Sequence, residues 1–109
     1  MKRIEAIIRP SKQASVLASL AKLDITNVTV IETLGLGNQP GFSHIYEPAA
    51  PHQDSGTALI PKKLLIMFVE DSQVQSVLDA IQPGACTGNP GDGIMVVSQV
   101  EQIVRIRQE

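Results

Sequence analysis

The chain has 109 residues, 43% hydrophobic and 18% charged, which fits a single globular domain over residues 1–109 and argues against a disordered or fibrous protein. Nine Lys and Arg against eleven Asp and Glu give a formal charge of −2, and with no Trp, one Tyr and two Phe neither the basic face nor the stacking platforms of a nucleic-acid binder are expected. No stretch approaches the roughly 18 apolar residues of a membrane span, the opening apolar run is too short for a signal peptide, and the single Cys86 can form no internal disulfide, so a cytoplasmic protein without membrane insertion is expected.

Residues 2–9 carry a partly alternating, then continuous apolar pattern, Ile4, Ala6, Ile7 and Ile8, which predicts a largely buried strand ended by Pro10. Ser11 fits an N-cap, and Val16, Leu17, Leu20, Ala21 and Leu23 recur at helical spacing as far as Asp24. Residues 28–34 are rich in β-branched side chains and read as a second strand, closed by Gly35-Leu36-Gly37. Periodicity then disappears over about residues 38–59, where Pro40, Gly41, Pro48, Pro51 and Gly56 break helix and strand alike; so long a loop is usually functional or disordered.

After Pro61, residues 62–69 are apolar on both alternating faces, as in a central strand. Ser72 with Gln75 resembles a capping box, Val74, Val77, Leu78 and Ile81 form the buried stripe of a second helix, and Pro83-Gly84 predicts its end. A turn-rich loop over residues 87–93 feeds the apolar run 94–97, and residues 100–107 alternate as a final short strand. The order β-α-β-β-α-β is that of the ferredoxin-like α+β sandwich, two helices on one face of an antiparallel sheet. The bare face needs covering, and because a chain this small gains burial by oligomerising, sister subunits are the expected cover.

Gly91-Asp92-Gly93, at a loop-to-strand junction, can present consecutive backbone N–H groups to phosphate oxygens. Arg105 and Arg107, two apart on the expected strand, share a face and can reach one polyanion. The turn lacks the Lys-Ser/Thr of a P-loop and precedes a strand, so a kinase or ATPase is not expected. His44, Glu47, His52 and Asp54 have no recognisable ligand spacing and no nucleophile, base and orienting group come together, so neither a metal site nor an enzyme is expected.

Residues 2–10, Lys-Arg-Ile-Glu-Ala-Ile-Ile-Arg-Pro, resemble the opening of a PII signal-transduction protein. Residues 35–39, Gly-Leu-Gly-Asn-Gln, are similar to its pre-loop segment, residues 87–93 to its second signature, and Arg105-Ile106-Arg107 to its closing motif, so the resemblance spans nearly the whole chain in order. It implies a homotrimer of ferredoxin-like subunits with an adenine nucleotide, ADP, AMP or ATP, in each intersubunit cleft. By the same resemblance, Gly35, Gly37 and Gln39 stand at the root of a partner-binding T-loop (about residues 38–59), and Gly91, Asp92 and Gly93 form the phosphate-binding B-loop (about residues 87–93). Arg105 and Arg107 grip phosphates from the neighbouring chain, Ile7, Thr29 and Phe68 line the cleft, and Gln39 and Lys62 hold 2-oxoglutarate beside Mg²⁺-bound ATP.

The chain also departs from the family pattern. The region of Pro51, His52 and Gln53 has no Tyr for nucleotidylation, Ile94 replaces a phosphate-contacting lysine, and Ile66 replaces an acidic residue that reads the adenine amino group. A site weakened at its outer end is expected to favour ADP or AMP over ATP. The leading reading is therefore a non-enzymatic nucleotide sensor regulating a membrane transporter or metabolic enzyme, in nitrogen or inorganic-carbon metabolism. The alternative is a constitutive trimeric adaptor with a decayed nucleotide site.

Overall fold

The computed structural model describes residues 1–38 and 57–107. The first strand, β1 (Lys2–Ile8), alternates so that Ile4, Ala6 and Ile8 lie on one face and Arg3, Glu5 and Ile7 on the other. The first set is completely or almost completely buried. Its antiparallel neighbours are β3 (Thr57–Val69), with Ile4 opposite Met67 and Ala6 opposite Leu65, and β4 (Gly93–Gln99), with Ala6 opposite Met95. The strand β2 (Thr29–Asn38) pairs with the outer side of β3, giving the order β2-β3-β1-β4.

Two helices, α1 (Gln13–Ala21) and α2 (Val74–Ala85), cover the apolar face with Val16, Leu20, Val77, Ile81 and Ala85. They approach closely at Gly84: a Cβ there would stand 3.4 Å from Val16 Cγ2, and the Ser15 hydroxyl donates to the Gly84 carbonyl at 2.8 Å. The architecture is the expected ferredoxin-like α+β arrangement. The opposite sheet face carries Ile7, Ile31, Leu64, Ile66, Phe68, Ile94 and Val96, none of them fully buried, with Phe68 48% and Ile94 60% exposed. Both helices lie on the other side, and on this face the Arg3 Nε is buried without a hydrogen-bond partner.

Several boundaries differ from the sequence pattern, each for a local reason. Ser11 does not cap α1, because Pro10 with its fixed φ opens a 3-10 turn over Pro10–Lys12, and α1 starts at Gln13. The first helix ends in a Schellman arrangement: Asp24 adopts φ 61°, its N–H donates to Ala21 O, and the Ile25 N–H donates to Leu20 O, both at 3.0 Å. Before α2 the capping contact belongs to Glu70, whose N–H donates to Gln73 Oε1 at 2.9 Å, and not to Ser72 and Gln75. Pro83 does not stop α2, whose last turn continues to Ala85 and is closed by the Cys86 N–H on Gln82 O.

The glycines at 35 and 37 do not end β2. They pair within it, opposite Ile60 and Ala58, and β3 begins at Thr57, before Pro61. A proline is tolerated there because β1 stops at the Ile8–Lys63 pair, leaving β3 only one neighbour beyond that point. Both ends of the expected 38–59 loop are thus strand, and Gln39, His44, Glu47, His52 and Asp54 lie outside the described residues. The expected strand over residues 100–107 does not form. β4 stops where β1 begins, at the Lys2–Gln99 pair; the Val100 N–H still meets Met1 O, and residues 101–107 run on outside any strand although β2 and β4 each keep an open edge.

Among the described residues no helix is long and apolar enough to cross a membrane. Leu65, fully buried on the central strand between the helices and β1, is a sensitive test of the core. Leu65→Ala is expected to lower unfolding free energy by about 2–5 kcal/mol, measured as a shift in the urea midpoint at constant m-value.

Candidate functional site

The loop between α2 and β4 is organised around one carboxylate. Asp92 accepts the Thr87 amide at 2.8 Å, the Gly88 amide at 2.9 Å, the Thr87 hydroxyl, and Arg9 Nε at 3.1 Å. These donors, the Thr87 hydroxyl foremost, hold the Asp92 carboxyl far below the usual aspartate range, against a smaller opposing effect of burial. Because the folded-state pKa is the lowered one, the resulting stabilisation is complete above the ordinary value of about 3.9 and is lost as pH falls below it. The Asn89 amide is also satisfied inside the loop, by the Thr87 hydroxyl at 3.2 Å.

Two cations close on this loop from the sheet. Arg9, the residue after β1, places Nε on Asp92 and Nη2 on the Pro90 carbonyl at 2.6 Å. Lys62, on β3, donates its ammonium to the Gly91 carbonyl. Burial first, and then the neighbouring Arg9 charge, push the Lys62 pKa down, while Asp92 alone pushes it up. Burial and the Arg9 charge thus disfavour the charged form of Lys62, whose ammonium is held by the Gly91 carbonyl.

The glycines have separate reasons to be there. Gly91 and Gly93 have φ of 93° and 115°, which side-chain-bearing residues rarely adopt. At Gly93 a Cβ would also fall 1.7 Å from the Ile7 carbonyl oxygen, so the loop enters β4 pressed against β1. Beside this junction is a depression of about 230 Å³ lined by Ile7, Ile81, Cys86, Asp92, Gly93 and Ile94, among others.

The structure thus brings together Ile7, Gly91, Asp92, Gly93 and Lys62, with Gly35 behind Lys62, where a Cβ would stand 3.4 Å from the lysine Cγ. Gly37 lies further out on β2, opposite Ala58. Thr29, opposite Ile66, and Phe68, opposite Arg3, lie further along β3 from the Ile7–Leu64 pair, Phe68 by four residues or about 13 Å. Arg105 and Arg107 follow the far end of β4, about 20 Å along the strand from Gly93, and no strand aligns them on a common face. Arg9 escaped sequence reasoning, which used it only as the end of a strand; its carboxylate partner is 83 positions away, beyond any local spacing rule.

The sequence model for "Nitrogen regulatory protein P-II" matches residues 1–109. The chain belongs to the P-II, or PII, family. It is 41% identical over 107 residues to the nitrogen regulatory protein P-II of Azospirillum brasilense and 41% identical over 107 residues to that of Pasteurella multocida. The counterpart in Microchaete diplosiphon is 40% identical over 107 residues, and each of the three alignments covers 98% of this chain and 92% of the relative. In this PII chain the glycine loop, its carboxylate, Arg9 and Lys62 meet at one end of the sheet.

The two glycines that differ in surroundings separate steric from conformational cost. Gly88→Ala meets open space and only the strain of φ 83°, about 1–2 kcal/mol, whereas Gly93→Ala must also displace β4 from β1. Thermal denaturation should therefore show a distinctly larger fall in Tm for Gly93→Ala than for Gly88→Ala.

Proposed function

We propose that this PII-family chain is a non-catalytic signalling protein that acts as a homotrimer and binds adenine nucleotide between neighbouring subunits. In this reading the loop over residues 87–93 and Ile7 of one subunit face Thr29, Phe68, Arg105 and Arg107 of the next. The observation that carries it is the largely exposed apolar sheet face, with the glycine loop where β4 begins and Arg105 and Arg107 in the tail that leaves the other end of β4. A second copy laid on that face removes apolar surface from water and brings the complementary half within reach. The relatives' description as nitrogen regulatory proteins supports a regulatory role. The output passes through the segment joining β2 to β3, to a membrane transporter or metabolic enzyme of nitrogen or inorganic-carbon metabolism.

Selectivity follows from Ile94, which stands at the mouth of the depression, 60% exposed and uncharged. A γ-phosphate brings extra negative charge without an extra cation to meet it, so ADP or AMP is favoured over ATP. Lys62 and Gln39 are the residues through which Mg²⁺-ATP and 2-oxoglutarate would act together. Calorimetric titration with ADP, AMP and ATP, with and without Mg²⁺ and 2-oxoglutarate, is expected to give ADP affinity equal to or above that of ATP and little response to the keto acid. Tenfold tighter ATP, strengthened further by 2-oxoglutarate, would reverse the selectivity, and no binding of any nucleotide would leave the constitutive adaptor.

Replacing Arg105 and Arg107 together by Ala should weaken nucleotide affinity roughly ten- to a hundredfold for each guanidinium–phosphate hydrogen bond removed. Light scattering of the same variant should still give three times the chain mass. A monomer at micromolar concentration, in the unaltered protein, overturns the intersubunit site.

A further inference from the structure

We propose that Arg9 is a positioning residue that sets the shape of the 87–93 loop without itself touching the bound anion, an inference that rests on the reading of that loop as the phosphate site. Arg9 has extended backbone, φ −66° and ψ 142°, and Pro10 after it disfavours the helical alternative. Its side chain therefore leaves the sheet from a conformationally restricted point, and it is only 22% exposed. The guanidinium contacts both sides of Gly91: Nη2 holds the Pro90 carbonyl at 2.6 Å and Nε holds Asp92 Oδ1 at 3.1 Å. Asp92 carries the restraint onward, since its Oδ2 accepts the Thr87 and Gly88 amides at 2.8 and 2.9 Å.

One side chain outside the loop thus fixes both of its ends across the left-handed turn at Gly91. This leaves Lys62, whose ammonium meets the Gly91 carbonyl, as the cation for a ligand. A forked, planar guanidinium suits a two-point restraint, which the compact ammonium of lysine cannot reproduce.

Three variants test this: Arg9→Gln, Arg9→Lys and Asp92→Asn. Amide hydrogen exchange by NMR on the nucleotide-free protein reads loop order, with the buried Leu65 amide as a control for global opening, and ADP titration reads the site. Arg9→Gln is expected to speed exchange at Thr87 and Gly88 about tenfold and weaken ADP about tenfold, leaving Leu65 unchanged, as local opening requires. Arg9→Lys should recover less than half of either loss on a logarithmic scale. Combining Arg9→Gln with Asp92→Asn should add little to Asp92→Asn alone, because both break one connected restraint.

Unchanged loop exchange in Arg9→Gln, with or without weakened ADP, overturns the proposal, as does full rescue by lysine, which would show that charge alone matters. Equal acceleration at Leu65 also overturns it, by making Arg9 a residue of global stability. If the unaltered protein binds no ADP while the exchange results hold, the phosphate-site reading fails and the role of Arg9 in shaping the loop stands.

Discussion

A four-stranded sheet has two faces, and the described residues provide only two α-helices. Both lie on the side of Ile4, Ala6, Leu65 and Met67, and the remaining face is left with Ile31, Phe68, Ile94 and Val96 toward solvent. This imbalance governs the arrangement of the functional groups. The covered face stabilises the chain, while the uncovered one carries Ile7 and Ile94 at one end and Phe68 at the other, an exposed apolar surface of the kind that marks interaction sites. The buried and unpartnered Arg3 Nε on that face is a polar group that exposed β-sheet surface does not ordinarily leave unsatisfied.

The element order and core were legible because burial and periodicity coincide: Val16 and Leu20 on one helix, Val77 and Ile81 on the other, and the alternation of β1 all met the expected core. Boundaries were less legible where neighbours decide them. Gly35, Gly37 and Pro61 look like strand breakers by themselves, yet they lie in paired strands because a hairpin that outruns β1 tolerates them. Residues 100–107 show the converse, alternating in sequence yet running past the start of β1 outside any strand. The glycine loop was found from its composition, but Arg9 and the inward turn of the Asp92 carboxylate were not, since each depends on contacts between distant parts of the chain.

At the loop, the balance of charge matters more than the count. Asp92 is surrounded by donors and is almost fully engaged by them, whereas Lys62 meets a carbonyl dipole, some burial and a second cation. A carbonyl oxygen is a weaker partner for an ammonium than an anion is, so of the two charged groups Lys62 is the less strongly held. The glycines make this compatible with a rigid framework, because close backbone approach at Gly93 ties the loop directly to β1.

The hairpin formed by β2 and β3 beyond Ile8 has the mechanical character of a cantilever. From Lys62 to Thr57 it runs five residues, about 17 Å, over which β3 is paired with β2 alone, while its root carries the ammonium that contacts the Gly91 carbonyl. A tilt of about 10° at that root displaces the outer end by about 3 Å, given a strand rise near 3.3 Å per residue. By geometry alone, a small tilt at the Lys62 root thus corresponds to a displacement about the size of a hydrogen-bond length at the point where the segment from 39 to 56 begins and ends.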